Sequence, residues 1–147
     1  MLNLFPNHEE VDKVKLIQTE EVAEAKRELF FTQNNHLNKE QLLTDGYLVE
    51  DQEQIIGCFM IEPLQKDIYW LKQLYISQAE ARSLPVLLEA ILTLAKQKQA
   101  KKVYVFSHQP MVDIILDALQ FHETKATNAM MNDEQYRHGK WWTYQVS

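Results

Sequence analysis

At 147 residues the chain suits one domain, residues 1–147, with one sizeable core. An apolar content of 46% and a charged content of 24% fit a soluble globular protein, while a net charge of −6 argues against nucleic-acid or anionic-membrane binding, which needs a basic face. No apolar run approaches the ~18 residues of a membrane span, the opening "MLNLFPNHEEVDK" lacks the regions of a signal peptide, and the lone Cys58 fits a reducing cytoplasm.

In chain order, Val11–Gln18 alternates as a first strand. Thr19 is placed to cap a helix through Phe31, with Val22, Ala25, Leu29 and Phe30 at helical spacing. A polar loop, "TQNNHLN" (Thr32–Asn38), leads to a short helix or turn that stops at Gly46. Three strands follow: Tyr47–Glu50, Ile55–Leu64 and Ile68–Ile76, joined by a tight turn at Asp51–Gln54 and a connection over Pro63–Asp67. The stretch Leu84–Gln99 carries Leu84, Leu87, Leu88, Ile91, Leu94 and Ala95 on one face, an amphipathic helix against a sheet. Lys101–Ser107 reads as a buried strand, and Pro110 opens another helix through Gln120, where its missing N–H costs nothing. "FHETKATNAMM" and "KWWTYQV" read as the last two strands, joined by "NDEQYRHG".

The expected order is β-α-α-β-β-β-α-β-α-β-β: an α/β (α+β) fold with a mixed central sheet and helices on both faces. A strand that returns beside its predecessor through a helix must run parallel to it. Cys58, inside "IIGCFMI", is read as a small core hydrophobe rather than a nucleophile. The five histidines show no metal-binding spacing, so no metal is expected.

This order, with its local words, resembles the GNAT superfamily, the Gcn5-related N-acetyltransferases. "VEDQEQIIGCFMI" looks like the family's second and third strands, with Gly57 at the usual glycine. "LKQLYIS" looks like its fourth strand, "PVLLEAILTLAKQKQAKKVYVFS" like its third helix and fifth strand, and "IILDALQFHE" like its fourth helix and the phrase that ends it. The resemblance implies that the fourth and fifth strands splay and that acetyl-CoA lies between them. It implies pantetheine pairing with the backbone of Leu74, Tyr75 and Ile76, and a pyrophosphate on the loop opening the third helix, held by the amides of Arg82, Ser83 and Leu84. Ser107 and His108, at the exit of the fifth strand, fall where the family often touches the cofactor.

Three departures from the family pattern bear on the chemistry. The family loop is usually glycine-rich; here "SQAEARSLP" (77–85) has no glycine, and Pro85 removes an amide from the first helical turn. The tyrosine that often protonates the departing thiolate falls on Leu116, and the glycine after it on Gln120. The acidic residue that often polarises a water falls on Gln73, which is no base near neutral pH. Two readings therefore stand side by side: an acetyl-CoA-dependent acyltransferase acting on a small amine with weakened cofactor binding, or a catalytically inactive binding protein of GNAT descent. No catalytic residue is assigned.

Each remaining candidate has two readings. Arg82 either clamps a pyrophosphate or is a solvated loop residue. His108 is either a general base or a residue near a helix cap. Glu62 faces either solvent or cleft. Tyr69, Trp70 and Tyr75 line either an acceptor pocket or the core. Trp141 and Trp142 must point to opposite faces, one core and the other either under a helix or exposed as a homodimer surface. By net charge alone the acceptor would be basic, such as a polyamine, lysine or aminoglycoside.

Overall fold

The computed structural model describes residues 14–125 and 138–146. Its strands form one sheet in the order β1-β2-β3-β4-β5-β7-β6, and the chain divides into two compact units. Of the described residues, the first comprises 14–60 and 73–90, the second 61–72, 91–125 and 138–146.

In the first unit, β1 (Lys15–Gln18) pairs antiparallel with β2 (Gly46–Asp51), from Lys15↔Glu50 to Gln18↔Tyr47. Residues 11–13 of the expected first strand lie outside the described residues. Thr19 does not cap a helix. It begins a 3-10 turn, Thr19–Glu21, and α1 (Glu24–Gln33) starts two residues after Val22, which is extended at φ −78° and ψ 141°. The cause is tertiary: Val22 dips into the core with Phe30, Phe31, Leu42, Leu48, Cys58 and Met60. The Arg27 guanidinium donates to the Val22 carbonyl at 3.1 Å and holds that dip. The buried face of α1 is therefore Phe30 and Phe31, while Leu29 stands 59% exposed.

Helix α2 (Lys39–Asp45) is capped by Asn38, whose side-chain oxygen accepts from the Gln41 amide at 3.1 Å. β2 turns into β3 (Gln54–Gln65) through Gln52 and Glu53, at φ 51° and 65°. Two left-handed central residues suit the twist of a two-residue hairpin, here without glycine. β2 leaves β3 at Gly46↔Met60. Beyond that point β3 has no partner on the β2 side among the described residues, and Pro63 lies inside the strand rather than in a connection, at a place where a missing donor is tolerated.

The second unit holds the end of β3, the start of β4 (Ile68–Ile76) and their turn, with Asp67 at φ 67°. It also holds the later turns of α3 (Leu84–Gln97), β5 (Lys102–Ser107), α4 (Pro110–Ala118), β6 (His122–Thr124) and β7 (Lys140–Gln145). β4 and β5 are parallel; β5–β7 and β6–β7 are antiparallel. The element order matches the sequence expectation, and the sheet is mixed. α3 stops two residues early because Gln99 turns left-handed, φ 64°, and the Ala100 amide reaches the Ala95 carbonyl at 3.0 Å. α4 ends the same way at Gln120, φ 73°, with the Phe121 amide on the Leu116 carbonyl at 2.9 Å. Of the expected strand 121–131, residues 126–131 lie outside the described residues.

Trp141 packs with Trp70, Tyr104, Phe106 and Leu64, its ring 5.4 Å from Trp70 and 5.2 Å from Phe106. Trp142 lies under α4 and donates its indole N–H to Asp113 Oδ1 at 2.8 Å. Each is only 6% exposed, so one takes the core reading and the other the reading under a helix. Among the described residues no helix is long and apolar enough to cross a membrane.

Candidate functional site

In the first unit, the end of β4 and the loop into α3 bring six of the eight expected cofactor residues into one short stretch of chain. Leu74, Tyr75 and Ile76 close β4, each half-buried. Gly57 of β3 lies directly against them. A Cβ built on Gly57 would fall on the Tyr75 carbonyl oxygen, and it would stand 3.2 Å from Ile76 Cα. The glycine is thus required by close backbone approach. The Ser77 amide donates to the Ile56 carbonyl at 2.8 Å and continues the attachment.

The register of β4 with β5 runs from Ile68↔Lys102 to Leu71↔Val105 and ends there, although β4 continues to Ile76. Gln73 stands just past that end in a left-handed conformation, φ 51°, which no longer fits a regular ladder. The pairing ends where Gln73 breaks the backbone's extended course.

The loop shows why glycine is dispensable. Gln78–Ser83 coils as right-handed 3-10 turns, and no residue from 77 to 84 has a positive φ. The Glu80 amide donates to Ser77 O at 2.9 Å, and the Leu84 amide donates to Ala81 O. An anion nest needs alternating hands so that successive amides converge; a right-handed coil points them along its axis instead. Leu84 is buried with its amide engaged, whereas Arg82 is exposed and Ser83 half-buried. Arg82 makes no ion pair among the described residues, so its guanidinium is available to an anion.

Ser107 and His108 belong to the second unit. Ser107 is buried, and its hydroxyl closes a small turn with Gln109, accepting from the Gln109 amide at 3.3 Å and lying 3.1 Å from its carbonyl. His108 is exposed, its ring stacked on Phe106 at 6.4 Å. Leu116 is fully buried and apolar, and supplies no proton. Glu62 is half-buried and paired with Lys72 at 3.5 Å; that lysine also stands 4.4 Å over the Trp70 ring. Trp70 is core, Tyr69 half-buried.

Sequence reasoning missed a cluster around Gln73 and Tyr75. The Gln73 side chain accepts from the Asn38 amide at 3.1 Å and donates to Gln41 Oε1 at 2.8 Å, with Met60 Sδ at 3.3 Å from the same nitrogen. The Tyr75 hydroxyl donates to Asn34 Oδ1 at 2.7 Å, and the His36 ring meets the Tyr75 ring edge-on at 5.1 Å. In "TQNNHLN", a polar loop by sequence, the density of amides is the one local signal of this cluster. Cys58 sits beneath this cluster, fully buried, its thiol 3.4 Å from the Gln73 carbonyl. Burial pushes that thiol from 9.0 up to about 12, so no thiolate forms near neutral pH. The core reading of Cys58 stands.

No protein-family model matches the chain, and no curated protein matches it. Solved structures do. An acetyltransferase of the GNAT family from Staphylococcus aureus Mu50 superposes with a TM-score of 0.65 at 14% identity, over 91% of this chain and 99% of that one. The Campylobacter jejuni N-acetyltransferase PseH, solved in complex with acetyl coenzyme A, gives 0.67 at 15% identity, over 91% and 99%. Tetrahymena GCN5 gives 0.63 at 10% identity, over 92% and 96%.

Proposed function

We propose that this chain, whose fold is that of the GNAT N-acetyltransferases, transfers an acetyl group from acetyl-CoA to a small amine, with a weakly held cofactor. The observation that carries the reading is the end of the β4–β5 register at Leu71↔Val105, five residues before β4 itself ends. Beyond it, the peptide groups of Leu74, Tyr75 and Ile76 are the ones to pair with an extended pantetheine arm. Backbone pairing needs no particular side chain, so the departures elsewhere leave it intact.

The cofactor supplies a thioester carbonyl open to attack by nitrogen. The chain's own residues bind and orient. The arm would be held by Leu74–Ile76, Gly57 lets β3 approach that stretch, and the amides of Arg82 and Ser83 with the Arg82 guanidinium would hold the pyrophosphate. Leu84 contributes shape rather than a hydrogen bond. Each amide lost to a charged group weakens binding by about 1.5–3 kcal/mol. Losing the Leu84 amide and the one Pro85 lacks therefore weakens it by about a hundredfold or more.

A second reading is a binding protein that keeps the fold without the transfer; the buried Leu116 in place of a proton donor favours it. Calorimetric titration with acetyl-CoA, followed by thiol release over an amine panel, separates the two. Weak binding with slow turnover is expected. Binding without turnover on any amine would leave the second reading, and sub-micromolar binding with ready turnover would show that the loop was over-read.

A further inference from the structure

Three stretches of the second unit meet at Lys101. The turn between β3 and β4 reaches it through Asp67, whose carbonyl accepts from the Lys101 amide at 2.6 Å and from the Lys102 amide at 3.2 Å. The end of β7 reaches it through Val146, whose amide donates to the Lys101 carbonyl at 2.8 Å. The last turn of α3 arrives through Gln99 and Ala100. The register sets Lys102 between Ile68 of β4 and Gln145 of β7. Left-handed residues at Asp67 and Gln99 make both returns tight. This backbone frame gathers Lys66, Lys96, Lys98, Lys101 and Lys102 at one edge of the unit.

Lys66, Lys96, Lys98 and Lys101 are exposed, and Lys102 is half-buried. The one carboxylate on these segments, among the described residues, is Asp67, 3.8 Å from the Lys101 ammonium. The other four lysines make no ion pair among the described residues. The edge therefore carries +4, and the rest of a chain that totals −6 carries −10. Ammoniums at the last turn of α3 suit the negative end of its dipole, which accounts for Lys96 and Lys98. It does not account for Lys66, Lys101 and Lys102, which come from other elements.

We infer that this edge docks a short acidic segment of a partner protein, a run of Asp and Glu residues. The inference stands apart from acetyl transfer and uses the second unit alone. Lysine ammoniums on flexible stems take carboxylates and phosphates alike, and the surroundings favour carboxylates. These segments hold no arginine to grip a phosphate bidentately and no aromatic ring on which a base stacks. The exposed large apolar side chains, Leu29, Val86, Met111 and Ile114, lie on other elements, so nothing on the edge wedges into a bilayer. The −10 borne elsewhere repels a long polyanion, while a Debye length of about 8 Å at physiological salt lets a short segment sense the edge by itself. Exposed Gln65, Gln97 and Gln99 stand among the lysines and offer amides to the segment's peptide groups. Ser107 closes β5 five residues beyond Lys102, about 17 Å along the strand, so a docked segment leaves that end free.

The probe is a fluorescent ten-residue peptide of alternating Glu and Ser, blocked at both ends, with a Gln and Ser peptide as its neutral counterpart. Anisotropy with the whole chain should show the acidic peptide bound at 0.1 M salt and released at 1 M, where the Debye length falls from about 10 to 3 Å. The neutral peptide should not bind. An exposed ion pair contributes about two- to fivefold, so Lys98→Gln with Lys101→Gln should weaken binding about four- to twenty-fivefold. If that variant does not fold, Lys66→Gln with Lys96→Gln removes the same charge from the edge outside β5. Lys15→Gln with Lys125→Gln removes it from exposed positions elsewhere and should leave binding unchanged. Equal loss in the edge variant and this control would show diffuse attraction and overturn the inference. So would no binding at millimolar peptide, or tighter binding of a six-base DNA strand, whose five phosphates match the peptide's five carboxylates, or of phosphatidylserine vesicles. Self-association in sedimentation that is lost in the Lys98 and Lys101 variant would overturn it in favour of a second copy of this chain.

Discussion

Replacing Gln120 with glycine should stabilise the protein. Gln120 ends α4 at φ 73°, with the Phe121 amide on Leu116 O at 2.9 Å and its own amide on Asp117 O at 3.0 Å. This is the left-handed closing turn that glycine usually makes. A residue with a Cβ pays about 1–2 kcal/mol for that conformation, while glycine returns about 0.4–1 kcal/mol through the greater freedom of the unfolded chain. The side chain is exposed and makes no hydrogen bond among the described residues, so little else is lost. The net gain is about 0.5–1 kcal/mol, or roughly 1–4 °C in Tm for a chain of this size. Urea unfolding of Gln120→Gly, with Gln120→Ala as the control that keeps a Cβ, measures it. The alanine variant should gain nothing. A glycine variant less stable than the parent would refute the argument, because left-handed strain would then be too small to matter at this helix end.

Other outcomes follow from the same geometry. Gly57→Ala should destabilise by about 1–3 kcal/mol, as overpacking does, and should weaken acetyl-CoA binding in any folded fraction; its Cβ meets the Tyr75 and Ile76 backbone, which cannot rotate away. Unchanged stability in denaturant would show that β3 and β4 yield there. Cys58 gives a pH test. Its folded value of about 12 lies above the unfolded 9.0, so its contribution to stability is complete below pH 9 and is lost between 9 and 12. Cys58→Ala cannot lose it, so the gap between parent and variant should shift toward the variant by up to about 1.4 kcal/mol per pH unit above pH 9; parallel curves would contradict the burial. Pro85→Ala restores an amide in the first turn of α3 and should tighten acetyl-CoA about tenfold, read by calorimetry; no change would mean that turn does not face the cofactor.

The parts legible in the sequence were those written in local pattern. The alternation of Ile55–Leu64, the apolar face of Leu84–Ala95 and the proline at the start of α4 placed strands and helices to within a few residues. Their order also led to the resemblance. What escaped was set by distant contacts. Thr19 has the chemistry of a cap, yet Val22 is drawn into the core and delays the helix. Pro63 looks like a connection until β2 is seen to have left β3 at Met60. Four glutamines, at 52, 73, 99 and 120, take left-handed positions that no propensity assigns to them. The proposed site divides in the same way: Leu74–Ile76 and Arg82 are proposed from position along the chain, whereas the Gln73 latch joins residues more than thirty positions apart and leaves no local trace.

The most direct test of the central claim is a backbone-amide NMR titration with acetyl-CoA. Binding on β4 and the following loop should shift the amides of Leu74, Tyr75, Ile76, Arg82 and Ser83 in fast exchange, and leave the buried, internally bonded Leu84 amide less affected. No shift at millimolar acetyl-CoA, or shifts confined to residues away from β4 and that loop, would contradict it.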